Sequence, residues 1–147
     1  MVVKVTMYQL QLIFCLPIRA GFGGLVRNSA GFYLSGFSGF VLTSTDILFA
    51  ELTAIHRGLL LAVELGIEEL VCYSDSLLSI SLITGHASNL HVYAVLIQDI
   101  KDLLSSRSFT IHHCLREGNQ CTDYMAKIGA NSNHFSCYSS DRSPPFD

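Results

Sequence analysis

No aspartate or glutamate occurs before Asp46, so the first 45 residues can supply no carboxylate to metal or acid–base chemistry. Charge is scarce throughout. Only 14% of the 147 residues are charged, the net charge is -3, and Arg27, Arg57, Arg116 and Lys127 stand singly and form no basic run. The broad positive footprint that usually dominates nucleic-acid affinity is therefore missing, and any grip on a nucleic acid must be local or weak. A Cys-x-x-Cys pair is also lacking. Cys15, Cys72, Cys114, Cys121 and Cys137 are odd in number and sit in apolar or strand-like stretches, which fits reduced core thiols and speaks against a zinc site or disulfide frame. With no Asn-x-Ser/Thr sequon present, the expected setting is intracellular, nuclear or cytoplasmic, and not secreted. Nor is any apolar run long enough to cross a bilayer: Gln9 and Gln11 interrupt the stretch MVVKVTMYQLQLIFCLPIRA, which reads as strand material before it reads as a targeting segment. No membrane partner is expected.

What is present is core-forming material. Half the residues are hydrophobic, too many for a disordered chain, and 147 residues suffice for one domain with a core of its own. In YQLQLIF, Tyr8, Leu10, Leu12 and Phe14 alternate with Gln9, Gln11 and Ile13, the period of a strand, which Pro17 ends. Two apolar runs, 22–26 and 32–41, flank the turn-forming RNSAG and predict a hairpin. From Asp46 to Gly66, apolar residues Leu48, Leu52, Ile55, Leu59 and Ala62 recur at helical spacing, with Gly66 as the stop. A strand over 68–75, a short helix over 76–83, a helix over 91–104, a strand over 108–115 and a helix over 119–129 follow. Beyond Ala130 the chain is polar and patternless, and a frayed tail is expected over 131–147. This order implies a mixed sheet with helices packed on it.

Three acids stand at telling places. Glu51 lies on the apolar stripe of its helix, Asp75 ends a strand that feeds a helix, and Asp123 falls in the first turn of the last helix. Each has a plain reading: near a helix start the dipole favours an anion, and in VCYSDSLLS Asp75 can be a solvated turn residue beside an N-cap at Ser76. Converging, they would repel unless a divalent cation neutralised them, and hard oxygen ligands select Mg²⁺ or Mn²⁺.

Four segments in order, AGFGGLVRNSAGFYLSGFSG, AELTAIHRGLLLA, CYSDSLLSISLI and HCLREGNQCTD followed by YMAKIGA, resemble the ribonuclease H superfamily, in particular the plant reverse-transcriptase-like ribonuclease H domains of non-LTR retroelements. The resemblance covers residues 20–130. It implies an α/β, ribonuclease H-like fold with a five-stranded mixed sheet ordered 3-2-1-4-5, acting as a monomer on nucleic acid. The implied activity is Mg²⁺-dependent endonucleolytic hydrolysis of RNA in RNA/DNA hybrids, with Mn²⁺ as a possible substitute. Glu51, Asp75 and Asp123 match the family's metal-binding carboxylates, and His113 a histidine that assists turnover. His113 reads equally well as a strand residue alternating with Ile111 and Leu115. Ser76 and Asn119 match nucleic-acid-binding positions, besides their plain reading as N-caps. The departure lies upstream: the family opens with a strand bearing an aspartate, and here residues 1–19 form an atypical segment, without any acid, in that strand's place. Impaired catalysis is therefore expected, with a non-catalytic protein-interaction domain as the alternative.

Overall fold

The computed structural model describes residues 8–15, 21–30, 32–40, 47–85, 91–114 and 136–139. Strand β1 (Tyr8–Cys15) runs antiparallel to β2 (Gly21–Arg27) along one edge and parallel to β4 (Glu69–Ser74) along the other. Residues 8–15 thus fill an interior position of the sheet. A hairpin joins β2 to β3 (Tyr33–Phe40), and its turn is held by Asn28, whose Oδ1 accepts from the backbone N–H groups of Ala30 and Phe32, each at 3.0 Å. Strand β5 (Ser108–His113) lies parallel to β4 on the side away from β1.

Among the described residues the sheet has six strands in the order β5-β4-β1-β2-β3-β6, where the sequence predicts five. The addition, β6 (Ser136–Ser139), pairs antiparallel with β3 from Ser35 opposite Ser139 to Ser38 opposite Ser136. It falls inside the segment expected to be a frayed tail, and that expectation is corrected for these four residues. The reason lies in the backbone. The outer edge of β3 offers unpaired N–H and C=O groups, which any extended segment can satisfy whatever its side chains, so no hydrophobic alternation announces the strand.

Helix α1 (Ile47–Glu64) buries Leu52, Ile55, Leu59 and Ala62 completely, along the stripe its sequence spacing predicts. It ends where Gly66 adopts φ +73°: the N–H of Gly66 donates to Val63 O and that of Ile67 to Ala62 O, both at 3.0 Å, the paired closure of a Schellman turn that a left-handed glycine permits without strain. Helix α2 (Leu77–Thr84) follows β4 after a two-residue turn. Helix α3 is Ala94–Ser106 and starts three residues later than predicted, because His91 Nδ1 accepts from the N–H of Tyr93 at 3.1 Å and turns residues 91–93 into its approach. The helix predicted over 119–129 lies outside the described residues.

The core joins the α1 stripe to Leu10, Phe22, Val26 and Phe37 from the first three strands, Leu70 and Cys72 from β4, Ile97 and Ile100 from α3, and Phe109 and Ile111 from β5. Leu52 has no exposed surface at all. Truncating Leu52→Ala is expected to cost about 2–5 kcal/mol, from lost transfer energy plus the cavity left behind, measured as a fall in the urea midpoint with unchanged slope.

Candidate active site

The strand β4 alternates in burial along its length, with Leu70, Cys72 and Ser74 inward, and then ends abruptly on hydroxyls and a carboxylate. Ser74 is buried. Its Oγ accepts the backbone N–H of Ser76 at 3.1 Å, and its carbonyl accepts that of Cys114 at 2.9 Å, which carries the β4–β5 ladder one residue beyond His113. Asp75, half-buried, is thereby fixed at the strand end between two anchored serines. Ser76 caps α2 as its sequence position predicts, its Oγ accepting the N–H of Ser79 at 3.2 Å.

Glu51 reaches the same place from α1. Ser76 Oγ donates a short hydrogen bond to Glu51 Oε2, and Ser79 Oγ lies 3.3 Å from the same oxygen. As the fifth residue of α1, Glu51 lies beyond the first turn, so the dipole of its own helix does not explain it. Its carboxylate is instead held by the capped N-terminus of another helix, one residue from Asp75. Charge-assisted bonds of this kind are about twice as strong as neutral ones.

Asp75 leaves an electrostatic trace. Burial pushes the Cys114 thiol up, and the Asp75 carboxylate pushes it further. Cys72, enclosed in the core, is raised much more by burial. Because an adjacent anion disfavours a thiolate, Asp75→Asn is expected to lower the Cys114 pKa and speed its alkylation by iodoacetamide at pH 8, followed by site-resolved mass spectrometry. An unchanged rate would separate Asp75 from Cys114.

His113 is exposed at the end of β5 and pairs in register with Ser74, so it stands at the same edge as Asp75. Its neighbour His112 instead packs on Tyr73, ring centroids 6.2 Å apart. Asp123 and Asn119 lie outside the described residues, and among the described residues no group of three or more His, Cys, Asp or Glu is placed to hold a metal ion. On β1 the parallel pairing with β4 runs to Leu12 opposite Ser74, which brings Ile13 level with Asp75; the strand YQLQLIFC carries no acid. The residue that sequence reasoning missed is Ser79. Its signal was the spacing, since three residues after an N-cap is where a capping-box partner stands.

An α/β sheet of this topology, with acids at the end of the strand beside its central one, is the ribonuclease H-like fold. Solved structures of ribonucleases H share it. RNase H1 of the halophilic archaeon Halobacterium salinarum superposes with a TM-score of 0.75 at 19% identity, over 85% of this chain and 98% of that one. The N-terminal RNase H domain of rv2228c from Mycobacterium tuberculosis gives 0.74 at 21%, over 86% and 94%. LC11-RNase H1, solved in complex with an RNA/DNA hybrid, gives 0.71 at 19%, over 86% and 96%. At such identities the likeness speaks for the fold alone. Residues 15–129 match the reverse transcriptase-like family, and the chain belongs to it. No curated protein matches.

Proposed function

We propose that this chain is a nucleic-acid-binding domain of ribonuclease H type, whose inherited reaction is endonucleolytic hydrolysis of the RNA strand of an RNA/DNA hybrid and whose catalysis is impaired. The observation that carries the reading is the meeting of Glu51 from α1 with the Asp75–Ser76 turn through the Ser76 hydroxyl. Two carboxylates drawn from separate elements to one strand end are hard oxygen donors suited to Mg²⁺ or Mn²⁺ and unsuited to softer metals. Glu51 and Asp75 would hold the cation, with Asp123 as the third ligand that family resemblance adds. When bound, such a cation stabilises charge on the scissile phosphate. His113, exposed at the same edge, is assigned the assistance of turnover, and Asn119 a contact to the nucleic acid; Ser76, matched by resemblance to a nucleic-acid-binding position, is buried here with its hydroxyl on Glu51 and supports that carboxylate instead. The impairment follows from β1, which passes Asp75 without a carboxylate. The same reading makes the protein an intracellular monomer.

One observation favours a second reading, a protein-interaction domain that keeps the fold. Leu77 and Leu78, directly after the Asp75–Ser76 turn, are 63% and 59% exposed. Titrating a fluorescent RNA/DNA hybrid at increasing salt separates the two. Binding that weakens as salt rises supports the first, through release of counterions from neutralised phosphates. Folded protein that ignores hybrid at low salt supports the second.

A further inference from the structure

Helix α2 is inside out at its start. Leu77 and Leu78 face solvent at 63% and 59% exposure, while Ser76 and Ser79 are buried at 6% and 0%. Burial preference runs the other way, and a buried hydroxyl costs free energy unless it is hydrogen-bonded. Both hydroxyls are bonded, and both lead to Glu51. Ser79 Oγ lies 2.8 Å from Ser76 Oγ and 3.3 Å from Glu51 Oε2, and Ser76 Oγ donates to that same carboxylate oxygen. A carboxylate only accepts, and Ser76 has a single proton, which goes to Glu51; Ser79 therefore donates toward Ser76 or Glu51. The backbone completes the set. The N–H of Ser79 donates to Ser76 Oγ at 3.2 Å and the N–H of Ser76 to Ser74 Oγ at 3.1 Å, so the serines are locked to the strand end that carries Asp75.

We propose that Ser79 is a positioning residue: working with Ser76, it fixes one oxygen of Glu51 and so sets how that carboxylate is presented, beside Asp75, to a divalent cation. The proposal rests on the reading of Glu51 as a ligand. A carboxylate on a free side chain samples several rotamers, and each unproductive one dilutes cation affinity. The two hydroxyls remove that freedom by holding Oε2. Hydroxyl donors behind a liganding carboxylate typically govern metal affinity by 10- to 100-fold.

The test uses the full chain, Mn²⁺ as probe, and no nucleic acid. Paramagnetic broadening of the backbone amide signals of residues 74–79 reports binding even when it is weak. Wild-type protein is expected to show broadening that Glu51→Gln removes. Ser79→Ala, which takes away the hydroxyl without adding volume, is expected to keep a cooperative melt and to need roughly tenfold more Mn²⁺ for half-maximal broadening. Ser79→Thr should recover most of the affinity, which loss of helix packing alone would not predict. If Ser79→Ala does not melt cooperatively, Ser79→Cys, with only a weak thiol donor, carries the same comparison. Ser79→Ala binding like wild type while Glu51→Gln does not would overturn the proposal and leave Glu51 a ligand. No broadening in wild type, or broadening that survives Glu51→Gln, would overturn the ligand reading and the proposal with it.

Discussion

Purified protein mixed with a labelled RNA/DNA hybrid and Mg²⁺ is expected to cleave it barely above background, and a single substitution in β1, Ile13→Asp, is expected to raise the rate. Strand β1 pairs in parallel with β4 up to Leu12 opposite Ser74, so residue 13 comes level with Asp75, on the sheet edge toward which Glu51 also reaches. In the chain as it stands that position is isoleucine. Two-metal hydrolysis would need the attacking and the leaving oxygen stabilised together, and a first strand without a carboxylate at this position would leave a second cation poorly held. Loss of one preorganised electrostatic group elsewhere costs about 10²–10³ in rate, and a ligand shared by two metals should matter at least as much. The gain in Ile13→Asp should vanish when Asp75→Asn is added. Thermal melts of each variant separate a failed repair from a failed fold. Brisk cleavage by the unrepaired chain, abolished by Asp75→Asn, would return it to the active enzymes.

The site was legible in the sequence where its residues are neighbours, and illegible where it depends on contacts between elements. The turn in VCYSDSLLS announced a strand end, an N-cap at Ser76 and an acid between them, because capping chemistry is local and the cap bond of Ser76 reaches only to Ser79. The position of Glu51 on an apolar stripe raised a question that sequence could not answer. Its partners, Ser76 and Ser79, lie 25 and 28 residues along the chain, and only the packing of α2 against α1 brings them to it. Helix α1 and its stop at Gly66 were plain from periodicity and one glycine. Strand β6 was not, since an edge strand recruited by the backbone groups of β3 needs no pattern of its own. The late start of α3 likewise comes from a side chain, the ring of His91 accepting a backbone N–H, which spacing of apolar residues does not register. That the first strand has no acid was plain in the sequence, and the register adds that Ile13 comes level with Asp75.

Removing residues 1–14 is expected to abolish folding, the largest effect on stability foreseen for this chain. Most N-terminal truncations of this length are tolerated, because chain ends usually lie at the surface. Here residues 8–14 belong to an interior strand. They pair with β2 from Gln9 opposite Arg27 to Phe14 opposite Phe22, and with β4 from Tyr8 opposite Leu70 to Leu12 opposite Ser74. Without it both neighbours keep N–H and C=O groups that face a gap beneath α1, and each buried group left unpaired costs about 1–3 kcal/mol. Leu10, which has no exposed surface, is lost from the core as well. A domain of this kind is stable by only about 5–15 kcal/mol in total, so a handful of orphaned groups exceeds the margin. The shortened chain should therefore appear in the insoluble fraction, or in solution without a cooperative thermal transition and without dispersed amide signals. A soluble product that melts cooperatively near the temperature of the full chain would mean that β2 and β4 close on each other, and that β1 is an addition to the sheet and not its centre.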